Sequence, residues 1–119
     1  MKNQIKEELA EHVLTMISDG IIDDNNKDDW HFHLFNENYY LIGYHECEKW
    51  LERHGISPFE AIGICQEYEK ENFGEITKVY DNSEKVVNML VYIYGEILLS
   101  EFEGESIEEL KEFMEDILG

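Results

Sequence analysis

Basic residues are scarce in this sequence: nine Lys and Arg stand against 28 Asp and Glu, a formal net charge of −19 over 119 residues. A surface so short of cations excludes unaided binding to DNA, RNA or an anionic membrane, all of which require basic side chains. Cysteine is nearly absent. Cys47 and Cys65 are the only two, too few for a disulfide framework, and the opening MKNQIKEELAEH lacks the apolar stretch of a secretory leader. The expected compartment is a reducing cytoplasm, with both thiols free. No run approaches the roughly 18 apolar residues that a membrane span needs, and neither a repeat nor a linker interrupts the chain. Pro58 is the only proline, and its setting makes it a helix starter rather than a breaker.

Catalytic signatures are missing as well. There is no phosphate loop, no G-x-S-x-G, no EF-hand loop and no H-E-x-x-H. The stretch DDNNKDD at 23–29 is calcium-like in content but lacks the loop's Gly and terminal Glu. Carboxylates are so abundant that a pair of them carries no information, because a general acid needs one isolated in an apolar pocket. Only Glu96 sits within an apolar run, and the exposed edge of a helix is its expected place. The chain reads as a binding protein without a cofactor and not as an enzyme. One metal arrangement stays open: His31, His33, His45 and Cys47 would converge as a zinc set if 30–47 were a hairpin, whereas a helical HECEKW would splay the last two apart.

What the sequence does contain is core material. Hydrophobic residues make up 43% and aromatic residues 13%, enough to fold despite the charge, and the length suits one domain over 1–119. The fold class expected is mainly α, about five helices around a buried central one. Ile5, Leu9, Val13, Met16 and Ile17 recur at helical spacing over about Asn3 to Ser18, with Glu7, Glu8 and Glu11 opposite and Gly20 as the stop. WHFHLFNENYYLIGY reads as a short helix, with a hairpin as the alternative somewhere in 30–45. HECEKWLERHG reads as a helix stopped by Gly55. Ser57, Pro58 and Glu60 combine an N-cap, a first-turn proline and a capping-box partner. They predict a helix to about Asn72 with Phe59, Ile62, Cys65 and Tyr68 inward. GEITKVYDN is a loop or a short strand within 75–80. Asn82 or Ser83 caps a helix over about 84–100 that has almost no polar face, the mark of a buried helix. Ser106 with Glu109 opens a last helix, Ile107 to Leu118, with Ile107, Leu110, Phe113, Met114, Ile117 and Leu118 as its inner stripe.

Over about residues 30 to 99, through FNENYYLIGY, the helix holding Trp50 and Leu51, PFEAI, FGE and SEKVVNMLVY, the chain resembles a family of small uncharacterised bacteriophage proteins. The resemblance brings no catalytic residues. It implies a phage setting, hence the cytoplasm of a host cell, and a protein that manipulates a host factor.

The acidic stripe has geometric content. Glu108, Glu109, Glu112, Glu115 and Asp116 follow i, i+1, i+4, i+7, i+8 and share one helix face, interrupted only by Lys111. At about 1.5 Å rise per residue these are five charges in about 12 Å, roughly one per 2.4 Å. Duplex DNA carries about one per 1.7 Å of axis. Glu101, Glu103 and Glu105 extend the field upstream. Small soluble domains commonly carry a net charge of about 2–8 in magnitude, so solubility needs far less; a merely solvated face in an acidic chain stays open as the plainer reading of the stripe. The expectation is an inhibitor or decoy that mimics DNA or RNA charge against the basic surface of a host nucleic-acid-binding protein. The alternative is a self-associating adaptor, a homodimer included, held by aromatic and aliphatic surface. Tyr39, Tyr40, Tyr44 and Trp50 are candidates for an aromatic binding surface, but their helical spacing favours core packing for most of them.

Overall fold

The computed structural model describes residues 3–36 and 46–119. Among them the secondary structure is helical throughout: α1 Asn3–Ser18, a 3-10 turn Lys27–Asp29 running into α2 Trp30–Phe35, α3 Cys47–Arg53, α4 Pro58–Phe73, α5 Ser83–Ser100 and α6 Ile107–Leu118. The chain is mainly α, as its periodicity predicts. Where a strand was the alternative, 30–35 is helix and 75–80 is irregular; the rest of the 37–45 stretch lies outside the described residues. No helix of the described residues is long and apolar enough to cross a membrane.

The helices start and stop for local reasons. Ser57 Oγ accepts from the Glu60 amide (3.1 Å) behind Pro58, and Ser106 Oγ accepts from the Glu109 amide (3.2 Å). Asn82 Oδ1, rather than Ser83, takes the Lys85 amide (2.9 Å) at the start of α5. Each satisfies an amide that the helix leaves without a partner. No side chain caps α2; it grows directly out of the 3-10 turn. Gly20 and Gly55 end α1 and α3 with φ of 72° and 65°, in the left-handed region that costs a side-chain-bearing residue strain.

Contacts gather the chain into two compact units. The first is Met1–Asn36 with Tyr94–Gly119. Here α1 packs along α6, burying Ile5, Leu9, Ala10 and Val13 together with Leu110 and Met114. Of the predicted inner stripe of α6, Ile107, Phe113 and Ile117 are half-buried and Leu118 is exposed. His12 Nε2 lies 2.6 Å from the Leu34 carbonyl, and because that oxygen only accepts, His12 is the donor. Phe35 lies so close to the α5 backbone that a Cβ on Gly95 would collide with its ring. Phe102 stacks between Trp30 and Phe113 at 6.5 and 5.6 Å.

The second unit is Glu37–Ile93, with α3, α4 and the 83–93 portion of α5. Trp50, Leu51 and Ile56 are buried, and Trp50 packs edge-on to His54 at 4.6 Å. Val86, Val87, Met89, Leu90, Val91 and Ile93 are buried on every side of the helix, which is the reason this stretch has no polar face. The inner line of α4 is Ala61, Cys65 and Glu69. Phe59, expected inward, is instead 90% exposed. Ala61 and Cys65 are fully buried, and the Cys65 thiol reaches the Val86 carbonyl at 3.7 Å.

Candidate functional site

Every carboxylate expected to bind a partner is exposed: Glu101, Glu103, Glu105, Glu108, Glu109, Glu112, Glu115 and Asp116. They are not equivalent. Glu101 forms an ion pair with Lys6 (2.8 Å). Glu109 folds back over the start of α6, where its Oε1 accepts from the Ser106 hydroxyl (3.1 Å) and faces the Glu105 amide (3.5 Å), completing the capping box. Glu108, Glu112, Glu115 and Asp116 have no hydrogen-bond or ion-pair partner among the described residues. Those four form the row that stays available, joined by Glu103 and by the Glu105 side chain.

The start of α6 is held from a distance. The amide of Ile107 donates to Asp24 Oδ1 at 2.7 Å across 83 residues of sequence. The loop carrying Asp24 is itself cross-linked. The Asn25 amide donates to Asp23 Oδ1 and the Asp23 amide to Asn26 Oδ1 (both 2.8 Å), while Trp30 Nε1 donates to the Asp23 carbonyl (2.8 Å). A carboxylate at a helix N-terminus meets both an unsatisfied amide and the positive end of the dipole. Asp23, Asp24 and Asn26 of the calcium-like stretch are thus engaged in ordering the loop and α6.

The histidine–cysteine set resolves as follows. His31 and His33 lie in α2, where residues two apart diverge; His31 is half-buried against Phe35 (6.0 Å), and His33 is exposed beside Phe32. Cys47 is buried at the start of α3, its thiol pushed up by burial and then by Glu84. His45 lies outside the described residues, as do Tyr39, Tyr40 and Tyr44. Among the described residues no three His, Cys, Asp or Glu side chains are placed to hold a metal. Trp50 is a core residue. Glu96 is exposed on α5.

The most unusual acid is one the sequence pattern passes over. Glu69 has no exposure at all, and burying a carboxylate without partners is prohibitively unfavourable. Its partners all come from the irregular segment that follows α4. Oε1 accepts from the Thr77 hydroxyl and the Lys78 amide (3.2 Å each), and Oε2 accepts from the Tyr80 hydroxyl (2.9 Å). Burial, then the bond to Glu69, raises the Tyr80 phenol, so it stays a donor. Burial, then the nearby Glu69 charge, pushes the Cys65 thiol up to about 12. A thiol held protonated is a poor nucleophile. The arrangement fastens a segment: three donors converge on one buried carboxylate, as in a structural anchor. A signal for Glu69 did exist, since Ala61, Cys65 and Glu69 lie four apart on one helical line. The apolar choice of Phe59, Ile62 and Tyr68 obscured it.

Neither protein-family models, nor curated proteins, nor solved structures match the chain.

Proposed function

We propose that this chain is an acidic binding protein that occupies the basic nucleic-acid groove of a host protein and inhibits it by competing with DNA or RNA, in the phage setting that its sequence resemblance implies. The observation that carries the reading is the α6 row. Glu108, Glu112, Glu115 and Asp116 are all exposed, with no partner among the described residues and one cation, Lys111, on the same helix. Like charges four apart weaken a helix by about 0.2–0.5 kcal/mol per pair, and solubility would be reached with fewer of them. A field of this density steers a cationic partner from a distance and loses its reach as salt rises.

The test is capture from host lysate by the immobilised full chain. Capture is expected at low ionic strength, with release on adding either salt or duplex DNA. The quadruple variant E108K/E112K/E115K/D116K is expected to keep its helical circular dichroism and lose capture. Undiminished capture by that variant removes this surface from consideration, and release by salt but not by DNA leaves an electrostatic binder that imitates no nucleic acid.

A further inference from the structure

Three large apolar side chains within seven residues are turned to water in the second unit: Phe73 is 60% exposed, Ile76 48% and Val79 68%. They lie at the end of α4 and on the irregular segment after it. Loose surface segments are usually held by little, but this one is fastened by a completely buried carboxylate, with Thr77, Lys78 and Tyr80 all donating to Glu69. The anchor draws the polar atoms of the segment inward and leaves Ile76 and Val79 outward. Isolated exposed apolar residues are ordinary; three within seven residues, on a fastened segment, mark a candidate interaction site.

The backbone points to the kind of partner. Among the described residues, only the Lys78 amide of 75–81 donates to a protein acceptor, so the rest of the segment offers amides and carbonyls to an incoming chain. ITKVY at 76–80 is β-branched and aromatic, the composition that accepts strand pairing. Charge decides what that partner carries. Beside the segment, an open groove of about 440 Å³ is lined by Gln66, Glu67, Lys70, Glu71 and Ile76. Glu67, Glu71 and Glu75 have no ion-pair partner among the described residues, whereas Asp81 is paired with Lys85 (2.9 Å) and the Lys78 ammonium is turned to the Met89 sulfur (3.8 Å). A second copy of a chain with net charge −19 is repelled from such a place.

We infer that residues 73–81 form a docking edge for an extended peptide segment of another protein, one that alternates basic and apolar side chains, added beside Ile76 and Val79 by backbone pairing. The edge uses none of the α6 acids and does not depend on their role.

The experiment titrates the full chain with fluorescein-labelled synthetic peptides. One alternates Lys and Leu, one alternates Lys and Ser, and one alternates Glu and Leu. At about 0.15 M salt, where the Debye length is about 8 Å, the Lys/Leu peptide is expected to bind and to retain most of its affinity at higher salt. The Lys/Ser peptide is expected to be released by salt, and the Glu/Leu peptide not to bind. The variant I76S/V79S, altered only at exposed positions, is expected to lose affinity for Lys/Leu by at least about tenfold, since about 1.4 kcal/mol is a factor of ten. The α6 quadruple variant should match the parent at high salt. Backbone amide shifts on peptide addition should centre on 73–81. Three results overturn the inference: unchanged affinity in I76S/V79S, amide shifts confined to α6, or self-association of the peptide-free chain that I76S/V79S abolishes, which would make a second copy the occupant.

Discussion

In Met1–Asn36 with Tyr94–Gly119, 17 acidic residues face four basic ones, and α6 turns its carboxylates to water. In Glu37–Ile93 the balance is 11 to five, and one acid, Glu69, is sealed from water with three donors around it. The same residue type therefore works in two regimes. In the first unit Glu108, Glu112, Glu115 and Asp116 face water with no hydrogen-bond or ion-pair partner among the described residues, and they repel each other. In the second, a single carboxylate organises the chain after α4, because a buried charge tolerates only one arrangement of its donors. Mutations at the two kinds of acid should therefore differ by several-fold in effect, and that difference can be measured.

The largest change is expected at Glu69. Glu69→Ala strands the Thr77 and Tyr80 hydroxyls and the Lys78 amide, and the loss of hydrogen bonds to a charged group amounts to about 3 kcal/mol. Chemical denaturation should report that loss, and protease cleavage should appear within 75–81. Glu112→Ala, on the exposed row, should fall within about 0.5 kcal/mol of the parent. If the two substitutions came out equal, the contrast between the units would be void.

Next comes Gly95→Ala, in the first unit. Alanine inside a helix ordinarily gains up to about 1 kcal/mol over glycine. Here its methyl group would meet the Phe35 ring, and overpacking costs about 1–3 kcal/mol. The steric effect should win, with a lower Tm in thermal unfolding. Restoration by the double variant Gly95→Ala with Phe35→Leu would identify the ring as the cause.

A smaller effect, about 1 kcal/mol, is expected for Asp24→Ala, which removes the acceptor at the start of α6. Hydrogen exchange should speed up at the Ile107 amide. This cap also shows where sequence reasoning ends. Ser57–Pro58–Glu60 and Ser106–Glu109 are legible because a helix start is a local problem, solved within four residues. Asp24 on the Ile107 amide spans 83 residues, and no local pattern encodes it. The acid row of α6 was legible in its spacing, and all its members are exposed. Glu69 was not, because residue type suggests that an aromatic goes inward and a carboxylate outward. At Phe59 and Glu69 the burial of the line Ala61, Cys65 and Glu69 decides the helix face instead.

Acid should act on the first unit through His12. Burial lowers its basicity below the ordinary 6.5, outweighing the bond to Leu34. Above about 6.5 the ring is neutral in both folded and unfolded chains, and its contribution is fully present. As pH falls below that value the unfolded chain takes up the proton first, so stability declines through the lowered folded value. His12→Gln keeps a donor for the Leu34 carbonyl and cannot titrate. Its denaturation midpoint should vary less between pH 7 and 5 than the parent's, whose remaining acid dependence comes from the carboxylates common to both.

A last predicted effect has the opposite sign. Glu115 and Asp116 occupy the last turn of α6, against the negative end of the helix dipole, and no basic residue accompanies them there. Replacing both by Lys should raise stability by about 0.3–1 kcal/mol at low salt, and added salt should erase the gain because it screens exposed charges. Glu69 substitutions should respond to salt far less, since water and ions do not reach that carboxylate. A stabilising variant that loses capture from lysate would separate two causes that coincide in the parent. On the proposed binding role, charge retained where it weakens the helix is charge kept for a partner; if the Lys variant were instead less stable, the acids of α6 would be holding the fold, and their exposure would lend that role no support.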